Sequence, residues 1–306
     1  MATSVETGGR PAVDIVTPFA GSAEELDSVV RCLASIDRRT PDTCKVAHNR
    51  LFRDTYLQYT DIAVVGAGER HSSYHARNRG AASGDGEWIV FLDGDVVPPP
   101  DIVDRYFDPP PGDDVGLLAG GVRDEEPGAG APFAVRYSSV RRTLSQSNTM
   151  DGRWAYAQTA NCAVRRSAFE AIGGFRADVR SGGDADLCFR LRAAGWKLES
   201  RPGAEVVHRN RDTMRGLLRQ RMRHGSGAAW LDREYPGSAP GHGNRLGLAK
   251  WTFGAAPAAA LRYLRGPREE ARVALADIAV LWALELGRLL PNEVRPRRRG
   301  WARIAG

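Results

Sequence analysis

Apolar runs of strand length alternate along the chain with stretches of helical periodicity. AVDIVTPF (12–19) reads as a short buried strand that closes at Pro18. In the next stretch, SAEELDSVVRCLASI, residues Leu26, Val29, Val30, Leu33 and Ile36 recur at three- and four-residue spacing and share one helix face. Ser22 and Glu25 form a capping-box pattern at its start. TCKVAHN and DIAVVGAG predict two further strands. SYHARNRGAASG predicts a helix stopped at Gly84, and EWIVFLDGD the following strand. This alternation predicts an α/β fold with a Rossmann-like, mostly parallel central sheet flanked by helices. Such sheets bind ligands at the carboxyl ends of their strands, where Asp93 and Asp95 fall.

The second half is patterned differently. RDEEPGAGAP (123–132) reads as a surface loop. NCAVRRSAFEAIGGF gives a strand, a short helix capped by Gly173 and a turn. DADLCFRLRAAG gives a helix with Leu187, Phe189 and Leu191 partly buried and Gly195 as its stop. WKLESRPGAEVVH reads as strand, turn and strand, ending at His208. DTMRGLLRQRMRHGSGAAWL is a basic helix starting near Asp212 or Thr213. From about residue 245 two apolar helices follow, broken by single charges such as Asp277 and Glu285. They suit either packing on the domain or an amphipathic surface for a membrane or a second subunit. The expected organisation is a flexible N-terminus (1–11), a main domain (12–235) and a basic, apolar helical C-terminal segment (245–306).

Composition narrows this picture. At 306 residues, 42% hydrophobic and 26% charged, the chain can build a substantial core. No run of about 18 apolar residues suggests a spanning helix, and the N-terminus lacks a signal-peptide pattern. The four cysteines are scattered, without metal-binding spacing, and free thiols are the simpler expectation. A cytoplasmic location is expected. The net charge of +6 is concentrated near the end, with ten arginines against five acids from Arg262 to Gly306. That tail suits the inner face of a membrane as peripheral contact. Aromatic and basic residues do not interleave on one platform, so nucleic acid is not an expected partner.

Two carboxylates flanking one residue, at the end of the apolar run WIVFL, can both face a hard cation. Mg²⁺ and Mn²⁺ take carboxylate and phosphate oxygens, usually with few protein ligands. Gly94 between them is expected to permit the turn and a close ligand approach. The prolines behind them are expected to take the chain out of the sheet.

SSYHARNRGAASGDGEWIVFLDGDVVPPP resembles the nucleotide-sugar-binding half of family 2 glycosyltransferases, which have the GT-A fold. A second block, from TANCAVRRSAFEAIGGF through GGDADL to EVVH, is similar to the acceptor half, and HRNRDTMRGLLRQRMRHGSG to the segment that follows in bacterial, non-processive members. Together the resemblance covers roughly 12–235, with 12–122 as the nucleotide-sugar half and 135–235 as the acceptor half. It implies metal-dependent, inverting transfer of a sugar from a nucleotide-diphosphate sugar to an acceptor hydroxyl.

By the same resemblance, Asp184 is the general base, Asp93 contacts ribose or metal-bound water, and Asp95 binds Mn²⁺ or Mg²⁺ together with His208. Pro18, His48, Arg77, Asn78 and Gly94 lie on the donor side. Asn161, Gly183 and Asp186 lie on the acceptor side, with Asp186 anchoring its helix. Arg221 and Arg223, with Arg219, supply charge to the diphosphate. A UDP-sugar is favoured, with GDP- and dTDP-sugars as alternatives. The acceptor is a sugar, a lipid-linked saccharide or a small molecule.

The sequence departs from the family pattern at three points. His48 stands where the family carries an acid that reads the nucleobase. Gly183 replaces the acid that usually precedes the base. His224 replaces the tryptophan of the Gln-x-x-Arg-Trp motif, which argues against processive synthesis. Two alternatives stay open. One is a GT-A-like nucleotidyltransferase, disfavoured because TPFAGSAEEL carries one glycine and no lysine. The other is a non-catalytic, membrane-associated binding protein.

Overall fold

The computed structural model describes residues 9–296, apart from 52–54, 60, 143–145, 147–148, 242–244 and 267. Residues 1–8 and 297–306, including much of the basic tail, lie outside the described residues.

The first strand, β1 (Val13–Phe19), leads into α1 (Ala23–Ala34). Ser22 and Glu25 close the capping box there, and Leu26, Val29, Val30 and Leu33 are buried as their spacing predicts. Next come β2 (Thr43–His48), β3 (Tyr56–Tyr59), β4 (Ile62–Gly66) and α2 (Ser73–Ala81). The α2 helix stops at Ala81, short of Gly84. Gly84 instead makes room for a buried carboxylate, since a Cβ there would lie 2.2 Å from Asp14 Oδ1.

Strand β5 (Trp88–Leu92) is followed by β6 (Val96–Val97), α3 (Ile102–Tyr106), β7 (Val115–Asp124) and α4 (Phe133–Arg141). The chain therefore leaves the sheet after Leu92 only for the Asp-Gly-Asp turn, then rejoins it as β6. The expected surface loop begins two residues late, because Arg123 and Asp124 still belong to β7.

Strand β8 (Asn161–Arg165) leads to α5 (Arg166–Ala171), α6 (Gly183–Ala193) and β9 (Lys197–His208). Leu187, Phe189 and Leu191 of α6 are buried rather than partly so. The expected turn in β9 is a register jump: Gly120 faces Arg201 and Val122 faces Val206, leaving 202–205 as a bulge. Helices α7 (Met214–Glu234), α8 (Arg245–Arg265) and α9 (Arg268–Gly287) complete the described elements, and Thr213 caps α7.

The sheet has nine strands in the order β3-β4-β2-β1-β5-β8-β7-β9-β6. From β4 to β5 it is parallel; beyond, it is mixed, because β8 runs antiparallel to both β5 and β7. Two reversals restore direction, so β7 and β9 point the same way as β5. One sheet edge thus receives the carboxyl ends of β1, β2, β5, β7 and β9, and the start of β8. Asp93, Asp124 and His208 arrive there together. Val96 pairs with His208, so the Asp-Gly-Asp turn bridges the ends of β5 and β9.

Both faces of the sheet are covered. Along β5, Trp88, Val90 and Leu92 enter one core with α1, while Ile89 and Phe91 enter the other with Phe169, Phe175, Leu187 and Leu191. On the second face Gly80 of α2 sits directly over Val16: a Cβ there would lie 2.3 Å from Val16 Cγ1.

The C-terminal helices do not behave alike. Helix α9 lies hard against α7, where a Cβ on Gly225 would be 2.0 Å from the Leu284 carbonyl and one on Gly287 2.1 Å from that of Met222. Helix α8 packs on α9 but leaves Leu246, Phe253 and Leu264 exposed, Phe253 by 81%. Among the described residues, no helix is long and apolar enough to cross a membrane. At the other end, Arg10, in the segment expected to be flexible, is tied by ion pairs to Asp42 and Asp104.

Candidate active site

A cavity of about 420 Å³ opens at the sheet edge where the strand ends converge. Asp93, Asp95, Asp184 and His208 line it, as do Arg77, Arg180, Arg211, Arg221 and Arg223. Residues far apart in sequence meet here because β6, one turn after β5, pairs with the end of β9, while α6 carries Asp184 to the same cavity.

Asp93 follows β5, its N–H donating to the Ala160 carbonyl (3.1 Å). Arg77 of α2 donates to Asp93 Oδ1. That arginine is 3% exposed, and its guanidinium also lies over Tyr74 and Phe175, 5.7 and 5.8 Å from their ring centres. Burial, only partly offset by Arg77, raises the Asp93 carboxyl above its ordinary value, and the neighbouring Asp95 charge adds to the shift. Asp95 goes the other way. Burial would raise it too, but His208 and then Arg211 outweigh burial and hold it low. Its Oδ2 is 3.6 Å from His208 Nε2 and 3.5 Å from the Arg211 guanidinium.

This donor set fits a small divalent cation. Among the described residues no three ligating side chains converge on one point. A carboxylate and an imidazole at 3.6 Å, with Asp93 beside them, nevertheless match the one or two protein ligands that Mg²⁺ or Mn²⁺ takes when phosphates complete the shell. Behind His208, its Nδ1 and Asp124 Oδ1 are both buried without hydrogen-bond partners, 3.9 Å apart. A carboxylate facing the outer nitrogen of a histidine is the arrangement that orients a metal-ligating imidazole.

Asp184 is the second residue of α6, after a left-handed Gly182 (φ 83°). Burial raises its carboxyl above the ordinary value, against the Ala185 N–H, Arg77 and the Tyr74 hydroxyl. Tyr74 donates to Asp184 Oδ1 at 3.5 Å. The replacement at Gly183 has a steric cause: a Cβ there would lie 2.8 Å from the Tyr74 ring. The helix beyond Asp184 is secured by Asp186, which is fully buried. Its Oδ2 accepts from Arg190 (2.7 and 2.9 Å) and its Oδ1 from Tyr235 (2.7 Å), so Asp186 anchors the helix.

The cavity's other wall is α7. Gln220, Arg221, Arg223 and His224 face it; Arg219 is exposed outside the lining. Burial lowers Arg221, and its Nε is buried without a partner. His224, desolvated and beside Arg223 and Arg221, is pushed down to about 3 and is neutral.

Several expected site residues are placed elsewhere or engaged otherwise. Asn161 is a core residue: its Oδ1 accepts from Tyr106 (2.5 Å) and its Nδ2 donates to the Gly121 and Ala204 carbonyls (2.8 and 2.7 Å). Neither amide hydrogen remains for an acceptor. Asn78 has both amide atoms closed on the Phe175 backbone (2.8 and 2.9 Å) and does not line the cavity. Gly94 has no positive φ, and a Cβ there would meet only ordinary contacts, the nearest 3.5 Å away, so the turn does not require glycine. Pro18 and His48 lie at the ends of β1 and β2, outside the cavity lining. His48 Nδ1 accepts from Arg50 N–H (3.1 Å), its ring meets Phe19 edge-on, and burial lowers it.

Tyr74, Arg180, Arg211 and Asp124 escaped sequence reasoning. Arg211 lies three residues beyond His208, which was signal enough to find it. Tyr74 has only its place three residues before Arg77, and Asp124 ends a strand that the sequence pattern does not announce.

Residues 27–227 match the family model described as glycosyltransferase like family 2. The chain is 27% identical over 247 residues to glycosyltransferase AglE of Haloferax volcanii, covering 74% of this chain and 77% of that protein. It is also 27% identical over 236 residues to the pre-mycofactocin glycosyltransferase of Mycobacterium tuberculosis. That match covers 73% of this chain and 48% of the relative, so the chain spans about half its length. Among solved structures, the mannosyltransferase PcManGT from Pyrobaculum calidifontis, in complex with GDP-Man and Mn²⁺, aligns with a TM-score of 0.52 at 17% identity, over 92% of this chain and 74% of that one. At that identity the likeness concerns the fold.

Proposed function

The chain belongs to glycosyltransferase-like family 2, and from that premise we propose that it transfers a sugar from a nucleotide-diphosphate sugar to an acceptor hydroxyl, with inversion and with a divalent cation. The observation that carries this reading is the cavity wall, where Asp93, Asp95 and Asp184 stand among five arginines. That cationic surplus suits a diphosphate, and the carboxylates divide between a cation and a proton.

Asp95 and His208 would hold Mn²⁺ or Mg²⁺, which supplies charge neutralisation on the departing diphosphate. Arg211, Arg221 and Arg223 orient the diphosphate oxygens by charge-assisted hydrogen bonds. Arg77 fixes Asp93 beside them, in reach of ribose or a metal-bound water. Asp184 takes the acceptor proton, and its raised basicity suits that role. One positioned base, with attack opposite the leaving group, is sufficient for a single inverting displacement. Pro18 and His48 stand at the strand ends where the nucleobase would lie, with a UDP-sugar favoured over GDP- and dTDP-sugars. The exposed apolar residues of α8 support peripheral contact with a membrane carrying a lipid-linked acceptor. Flotation with liposomes tests this: a Phe253→Ser, Leu264→Ser variant that floats as well as the parent removes it.

The central test is incubation with a panel of nucleotide sugars, with Mn²⁺, with Mg²⁺ and with chelator. Metal-dependent release of nucleoside diphosphate is expected, together with loss of transfer in Asp184→Asn while donor binding stays near that of the parent. No release or binding with any donor overturns the reading, and surviving transfer in Asp184→Asn overturns the base.

A further inference from the structure

The loop that delivers Asp184 is gripped by a segment beyond residues 27–227. Arg180 N–H donates to the Asn292 carbonyl (2.8 Å) and Ser181 N–H to Asn292 Oδ1 (3.1 Å). Asn292 Nδ2 donates back to the Ser181 carbonyl (2.9 Å), and the Ser226 hydroxyl of α7 donates to Oδ1 (3.4 Å). On either side, Val179 and Glu293 form an antiparallel bridge, and Val294 N–H donates to the Asp178 carbonyl (2.6 Å). Asn292 is 3% exposed. It arrives there because α9 meets α7 through Gly225 and Gly287, without room for a Cβ on either.

The grip matters because of the residues between it and the base. Ser181 is three residues before Asp184, separated from it by Gly182 and Gly183, the two residues with the least conformational restraint of their own. Arg180, Ser181 and Gly182 line the same cavity as Asp184. An amide that both donates to and accepts from one backbone unit fixes that unit's position and orientation together. Asp186 holds α6 from beyond Asp184, and Asn292 holds the loop that enters the helix before the glycine pair, so the carboxylate is set from both sides.

We infer that Asn292 is a positioning residue for Asp184, which makes the segment after α9 part of the catalytic unit. The inference rests on the reading of Asp184 as the base. A displacement of the order of 1 Å at a reacting group costs up to about a hundredfold in rate. Asn292→Ala is thus expected to lower kcat for transfer by roughly ten- to a hundredfold, with donor KM and the affinity for a nucleoside diphosphate plus Mn²⁺ held within about twofold. Asn292→Asp keeps the acceptor oxygen for Ser181 N–H and Ser226 but loses the donor to the Ser181 carbonyl, so an intermediate kcat is expected.

A folded Asn292→Ala enzyme with the parent's kcat overturns the inference, as does a fall in donor affinity that matches the fall in kcat. If Asn292→Ala does not fold, Asn292→Asp with the parent's kcat overturns it. The control is Asp184→Asn. Full transfer there removes the base assignment, and this inference with it, whereas an inactive Asp184→Asn beside a normal Asn292→Ala removes this inference alone.

Discussion

A Cβ on Gly183 would lie 2.8 Å from the ring of Tyr74, so these two positions cannot both carry a side chain of ordinary size. Where the family resemblance calls for an acid, a phenol fills the space in this chain. Gly183→Glu is accordingly expected to destabilise the protein by about 1–3 kcal/mol through overpacking. Tyr74→Ala would open the space, so the double variant should cost less than the sum of the two singles. Denaturant melts of the four proteins give the coupling directly. Strict additivity would mean that the ring is not what excludes the acid.

The same tyrosine leaves a mark on pH dependence. As the proposed base, Asp184 must be ionised to accept a proton, and burial has raised its carboxyl, so activity should rise along an acid limb centred above the ordinary carboxylate value of about 3.9. The Tyr74 hydroxyl favours the ionised form. Tyr74→Phe removes it and should move the limb to higher pH while leaving the shape of the alkaline side alone. A kcat profile measured from about pH 4 to 8 gives the direction, and a limb that stays or falls contradicts the contact.

Cation affinity should respond to residues at two distances from the ion. Asp95→Asn removes a proposed ligand and is expected to abolish measurable Mn²⁺ binding in the presence of a nucleoside diphosphate. Asp124→Asn leaves both proposed ligands but takes the carboxylate from behind His208 Nδ1, and should weaken Mn²⁺ roughly tenfold. Calorimetric titration separates the two. Equal affinities for Asp124→Asn and the parent would show that His208 needs no orienting partner.

How much of the molecule is legible in its sequence depends on the range of each interaction. The first helix, its cap and the strand that ends just before Asp93 are local patterns, and they appear where the spacing puts them. The third and sixth strands are four and two residues long, and Val115–Asp124 is broken by three glycines, so none of them carries a clear period. At the site, Asp95, Asp184 and His208 share one cavity as the motifs suggest. Asn161 and Asn78 do not serve it, because their amides are consumed by partners 40 to 97 residues away, which no local window contains. The Gly183 replacement reads as a loss in the sequence alone. Its cause, Tyr74, belongs to a different helix and is adjacent only in the fold.

At the opposite end of the first strand, Asp14 is fully buried, and its stability contribution should carry a distinct pH dependence. Its Oδ1 accepts from Lys45 Nζ (2.6 Å) and from the Thr43 hydroxyl, and its Oδ2 accepts from Gly86 N–H (2.9 Å) and from Arg166. Burial alone would raise this carboxyl, but Lys45 and Thr43 outweigh it and hold it below the ordinary value. A carboxyl depressed on folding contributes stability above its unfolded value of about 3.9, and that contribution is lost as pH falls through the folded value. Asp14→Asn preserves the shape but leaves the buried Lys45 without its counter-charge, while Arg166, half-buried, keeps Glu170. The expected cost at pH 7 is about 3–5 kcal/mol, the range for breaking one partner out of a buried pair. The variant's stability should then decline less than the parent's from about pH 4 downward, because the group that titrates there is gone. Urea midpoints at about pH 7, 4 and 3 provide the comparison. Curves that fall in parallel would place the acid sensitivity of the fold elsewhere than at Asp14.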